Sequence, residues 1–207
     1  VAKVCDELKI VDDSLLEMSR RAIYPEPELK GRLFHLAILG LVLRGVRASG
    51  YQLISRRPIG ASSNGPAYTF NQGSGRLAHV WFEAAPAWTF YKRPSPYVEA
   101  AEGVPGAGSP IGADVMVIIP NERALIIECK YSRNPQTVAR GGYEQTVAYA
   151  AEAAARLVPF VEGIVVGPEG VVLESRRTTL TVGGITIAPP STLQSDVRAF
   201  LEQGAAQ

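Results

Sequence analysis

Gly112-Ala-Asp-Val-Met-Val-Ile-Ile-Pro-Asn-Glu-Arg-Ala-Leu-Ile-Ile-Glu-Cys-Lys130 is the stretch from which the fold is read. An apolar run opens at Asp114, breaks at Pro120-Asn121 and returns as a second apolar run. That return ends in acid-x-base, Glu128-Cys129-Lys130. Two such runs around a turn signal read as a β-hairpin. On a strand, residues two apart share a face, so Glu128 and Lys130 project together while Cys129 points the other way. A carboxylate and an ammonium on one face of a buried strand are uncommon without a task. The bland alternative is a partly exposed ion pair at a strand end, worth ~0–1 kcal/mol.

Register decides whether Asp114 joins them. In an antiparallel pair it shares their face only if it stands opposite an even-numbered residue. That requires an odd connection, such as three or five residues around Pro120 to Arg123, or a bulge. Two carboxylates would then lie close together in apolar surroundings and repel unless a cation sits between them. A divalent metal is the natural candidate, since two carboxylates with waters and a phosphate oxygen are the hard ligands that Mg²⁺ prefers.

Asp-x(13)-Glu-x-Lys at the ends of a hairpin resembles the PD-(D/E)xK motif of the restriction-endonuclease-like nucleases. The resemblance spans roughly Pro27 to Gly167. It departs from the pattern at Ala113, where the family's name has proline.

The next segment strengthens the likeness. After the polar connector Tyr131-Ser-Arg-Asn-Pro-Gln, the alanine-rich run from Gly141 to Leu157 predicts a helix starting after its two glycines. Gln145 and Tyr149, four apart, share a face of it, with Glu152 one turn on. Gln-x-x-x-Tyr at this place is similar to the RecB-like branch of the family. Gln145 and Tyr149 are also readable as ordinary surface and core residues of such a helix.

The resemblance implies an α/β fold: an αβββαβ core with a mixed central sheet flanked by helices. N-terminal helical and C-terminal β/helix additions complete it. It divides the chain into a helical extension at 1–24, a nuclease core at 25–167, and C-terminal strands and a helix at 168–207. It implies a Mg²⁺-dependent deoxyribonuclease, with Mn²⁺ as substitute. Asp114 and Glu128 would bind one or two ions with the backbone carbonyl of Cys129. Lys130 would orient the attacking water, and Gln145 and Tyr149 would position phosphates. Many members carry an acid on the first core helix, which points to Glu28 in preference to Glu26. The other reading of Glu28 is a carboxylate favouring the helix dipole from the first turn. Restriction, phage defence or DNA repair is the expected setting. A catalytically inactive module that binds nucleic acid or a protein is the alternative.

Composition sets the remaining bounds. A chain of 207 residues with 46% hydrophobic content supports one elaborated domain. The net charge of +1 permits nucleic-acid binding without marking it. Positive charge is local instead, at Arg20-Arg21, Lys30 with Arg32, Arg44 with Arg47, Arg56-Arg57, Lys92-Arg93 and Arg176-Arg177. Such pairs are equally readable as solvated edges; it is the resemblance that makes DNA, or RNA, the expected partner, with room for a homodimer or a larger assembly. Cys5 and Cys129 read as reduced thiols, and the two histidines, His35 and His79, provide no zinc spacing. No leader pattern is present, and no apolar run approaches ~18 residues. A cytoplasmic protein without a membrane span is expected. The first residue is Val1, as in a processed protein or a segment of a longer one.

Further elements follow along the chain. Leu8, Val11, Leu15, Met18 and Ala22 recur at helical spacing. Pro27 opens a helix to about Ser49, stopped by Gly50 and apolar enough to be buried. Strands are expected at 51–59, within 77–91, at 163–167, 170–174, 178–182 and 185–188. Loops are expected at 60–66 and 102–112, with turns at 167–170 and Gly183-Gly184. A last helix capped by Ser191 or Thr192 reaches about Glu202.

Overall fold

The computed structural model describes residues 27–57, 65–73 and 75–203. The expected N-terminal helix, Cys5 and most of the 60–66 loop lie outside the described residues. The chain opens with helix α1 (Pro27–Ala48), then strands β1 (Gln52–Arg56), β2 (Tyr68–Asn71) and β3 (Leu77–Phe82). Two short helices, α2 (Ala87–Phe90) and α3 (Pro96–Ala100), lead to β4 (Val115–Ile119) and β5 (Arg123–Cys129). A π-helical turn (Thr137–Gly141) runs into α4 (Gly142–Arg156). Strands β6 (Phe160–Val166), β7 (Arg176–Leu180) and β8 (Gly183–Ala188) and helix α5 (Pro190–Glu202) complete the order.

This is an α/β fold around one mixed, eight-stranded sheet of order β1-β2-β3-β4-β5-β6-β8-β7. From β1 to β5 each strand pairs antiparallel with the next. β5 pairs parallel with β6, which requires a crossover, and α4 supplies it. β8 lies parallel to β6, and β7 folds back antiparallel on β8.

Strand alternation sends the two sets of side chains to two cores. Odd-numbered residues of β4 and β5 (Val115, Val117, Ile119, Leu125, Ile127, Cys129) pack with Ile38, Leu39, Val42 and Val46 of α1 and Leu193 and Val197 of α5. Even-numbered Met116, Ile118, Ala124 and Ile126 pack with Ala150 and Ala153 of α4. Both faces are covered, which is why β4 is buried along its whole length. Arg76 Nη1 and Arg123 Nη1 donate to the carbonyls of Leu201 and Phe200, satisfying the end of α5.

Several sequence expectations change. α1 is one-sided rather than buried all round: Ile38, Leu39, Val42 and Val46 face the sheet while Leu33 and Leu36 are exposed. Its stop is as expected, with Gly50 at φ 82°. The aromatic stretch after Phe82 is helical at Ala87–Phe90, because Phe90 and Tyr91 donate back to the Pro86 and Ala87 carbonyls. Residues 170–174 form a turn closed by the Val171 and Val172 amides on the Pro168 carbonyl. Gly183 and Gly184 belong to β8 rather than to a turn. Gly183, at φ 133°, leaves room for the Val161 carbonyl where a Cβ would collide. Pro189, not Ser191 or Thr192, precedes α5; the Thr192 hydroxyl donates to Asp196 instead.

Candidate active site

The connection between β4 and β5 is three residues, Pro120 to Glu122, with Asn121 in the left-handed region at φ 65°. It is an odd connection, so the parity condition is met. Continuing the pairing Val115↔Ile127 by one step sets Asp114 opposite Glu128. The two share a face, as opposed residues do. Asp114 Oδ2 accepts from the Cys129 amide at 2.8 Å, fixing the acid against the strand end.

Asp114 is delivered there by its neighbours. The Glu83 and Ala84 amides donate to the Asp114 and Ala113 carbonyls, extending the β3–β4 ladder past its formal end. Trp88 Nε1 donates to the Ile111 carbonyl at 3.1 Å. Gly112 passes so close to the backbone of Ala84 and Ala85 that any Cβ would collide with it. The glycine-rich approach to Asp114 is thus tightly seated where it meets the strand.

Glu128 is only 4% exposed, while Lys130 keeps 21% of its side chain exposed, so the pair is buried at its acid end. Lys130 Nζ donates to Glu128 Oε1 at 2.6 Å. Glu128 Oε2 is buried and has no hydrogen-bond partner among the described residues. Burial, and then the nearby charge of Asp114, push the Glu128 carboxyl up to about 7 despite Lys130. From α1, His35 Nδ1 stands 3.6 Å from Asp114 Oδ1. Asp114 is therefore held by the end of β5 and approached by α1.

The face opposite is α4. Its helical path begins earlier than the glycines imply: Asn134 Oδ1 accepts from the Gln136 amide at 2.9 Å, with Pro135 following as first helical residue. The π-helical turn then carries the chain past Val165, a distortion frequent at functional sites. At Gly142 a Cβ would collide with Val165 and stand 3.2 Å from Lys130 Cγ, so the small residue lets the helix close on the lysine's stem. Tyr149 is half-buried; its hydroxyl is pushed up to about 12 by burial and by the negative charges of Glu128 and Asp114. It stays protonated beside them. Gln145, one turn earlier, is exposed. Glu152 accepts from Ser95 Oγ at 3.1 Å, tying α4 to α3.

Glu28 lies in the first turn of α1, two turns before His35. Leu33, five residues on, is 39% exposed. What α1 brings to Asp114 is His35, which sequence reading weighed only for zinc spacing. Its position seven residues after Glu28, on the same helical stripe, is the signal that was available.

The donor set can be tested against a divalent ion. An orphaned buried carboxylate oxygen, a second carboxylate directly opposite, and a strand-end carbonyl at Cys129 are hard oxygen donors of the kind that suits Mg²⁺. The Cys129 thiol is excluded as ligand, because it packs in the α1 core and burial holds its pKa well above the usual range. Among the described residues no group of three or more His, Cys, Asp or Glu side chains could hold a metal. The protein's share would thus be two carboxylates and a carbonyl, with waters and substrate oxygens completing the shell. No protein-family model matches this chain, and no curated protein matches it. Among the described residues no helix is long and apolar enough to cross a membrane.

Proposed function

We propose that this protein is a metal-dependent DNA nuclease with a restriction-endonuclease-like core. One observation carries the reading: two opposed carboxylates, Asp114 and Glu128, share a strand end with Lys130, and Glu128 keeps a buried oxygen without a partner. The order α1, β3-β4-β5, α4, β6 supports the reading, because it gives an αβββαβ succession once β1, β2 and the short helices α2 and α3 are taken as additions to that core.

Asp114, Glu128 and the Cys129 carbonyl hold Mg²⁺, or Mn²⁺ in its place. The ion, when bound, polarises the scissile phosphate and lowers the pKa of a water. Lys130, held against Glu128, orients that water and offsets negative charge growing on the phosphate oxygens. Tyr149, kept protonated, donates to a phosphate oxygen, and the exposed Gln145 amide contacts the neighbouring backbone. His35 steadies Asp114 from the other side.

Incubation with linear, circular and single-stranded DNA and with RNA, in Mg²⁺, Mn²⁺ or EDTA, tests the reading. Cleavage that needs the metal and disappears in EDTA is expected. Metal-independent binding without cleavage of any form would replace it with a non-catalytic binding module.

A further inference from the structure

Tyr131 directly follows Lys130 and is 50% exposed. Its ring lies 5.4 Å from that of Phe34, tilted by 44°. Phe34 precedes His35, the residue whose Nδ1 meets Asp114 at 3.6 Å. The aromatic pair is therefore tied through the chain to both sides of the carboxylate site: through Lys130 on one strand and through His35 on α1. Phe34 packs against the main core, so it backs the pair, while Tyr131 is the ring turned outward. Arg133, two residues on, is exposed in the same connector.

We infer that Tyr131, backed by Phe34, is a stacking platform for an unpaired base beside the cleaved phosphate, so that the substrate is single-stranded DNA or a frayed DNA end. The inference rests on the nuclease reading for its position. The exposed ring and the geometry of duplex favour an unpaired base over intact duplex. An exposed aromatic face next to a phosphate-cleaving site matches the way single strands are held, by stacking along a basic path. Duplex would keep its bases stacked inside the helix and offer Tyr131 only sugar and phosphate. A purely structural Tyr131 would only fasten the end of β5 to α1, and that role needs bulk rather than an aromatic face.

The experiment measures binding of a short labelled single strand, and of a blunt duplex of the same sequence, by fluorescence anisotropy in EDTA. Cleavage of both is followed in Mg²⁺. Wild type should prefer the single strand. Tyr131→Leu keeps apolar packing on Phe34 and should weaken single-strand binding by about fivefold or more, the loss of one base–aromatic stack. Duplex binding should stay unchanged, and Tyr131→Phe should behave as wild type. Single-strand affinity unaltered in Tyr131→Leu, or a wild type that prefers duplex, overturns the platform; the nuclease reading then survives if Mg²⁺-dependent cleavage persists. Loss of single-strand binding in Tyr131→Leu, in a protein that never cleaves, keeps the platform and removes the catalysis.

Discussion

Two polar residues are buried on the same face of the sheet, at opposite ends of β4, and they are treated in opposite ways. His79 stands beside Ile118, near the hairpin turn; Glu128 stands opposite Asp114, at the other end. His79 is enclosed by Phe90 and Tyr91, and its Nδ1 lies 2.6 Å from the Tyr91 hydroxyl. Burial lowers its pKa, so it is a neutral ring with a neutral partner. Glu128 has a cation on one oxygen, nothing on the other, and a second acid across the ladder. Equal burial with unequal satisfaction is the lesson. Unpartnered buried atoms also occur at Tyr51, Asn71, Trp81 and Thr146, but among these five residues Glu128 is the one carboxylate, and it faces a second acid.

The largest effect should come from breaking the unsatisfied end. Asp114→Ala or Lys130→Ala should lower cleavage by roughly 100- to 1,000-fold, the scale of one preorganised charge partner in a dry site. Thermal unfolding should still show a folded protein. Wild-type cleavage rates in both variants would dissolve the contrast drawn above.

The satisfied end should respond in stability alone. Tyr91→Phe strands His79 Nδ1 in a buried site and should cost about 1–3 kcal/mol in denaturant unfolding. Cleavage at a temperature where the variant is folded should match wild type. Gly142→Ala comes next, since a Cβ there meets Val165 and presses on the stem of Lys130. It should cost about 1–3 kcal/mol by overpacking, and its cleavage should fall more than that of Tyr91→Phe.

The smallest effect sharpens the comparison through pH. Glu128 titrates at about 7 in the fold against an ordinary 4.5, so between those values the folded state holds a proton that unfolding releases. Stability of the metal-free protein should therefore fall as pH rises through that window, with the loss complete above it. Glu128→Gln should remove this part of the slope. Added Mg²⁺ should raise the unfolding midpoint of wild type above pH 7 and leave that of Glu128→Gln unmoved.

Much of this arrangement is legible in the sequence because it is local. The hairpin follows from two apolar runs around Pro120-Asn121, while its three-residue connection is one of several the sequence allowed. The helix carrying Gln145 and Tyr149 follows from alanine content, and the inner strand β6 from its unbroken apolar run. Elements that sequence reading missed depend on distant partners. The aromatic-rich 87–91 segment has strand propensity, yet it turns helical where Trp88 can reach the loop before Asp114. Asn134 looks like part of a connector until the helix it caps is seen.

The sequence by itself determined the alternation that sets Glu128 and Lys130 on one face and the hairpin around Pro120-Asn121, while the register that sets Asp114 across from Glu128 is fixed by the strand pairing. Period and turn chemistry act over a few residues, so they can be read there. Only the tertiary structure decided that Glu128 keeps an unpartnered oxygen, that His35 meets Asp114, and that Tyr131 leans on Phe34. Those facts require α1, the hairpin and α4 to converge on one strand end, and convergence across a hundred residues is set by how two cores pack against a shared sheet.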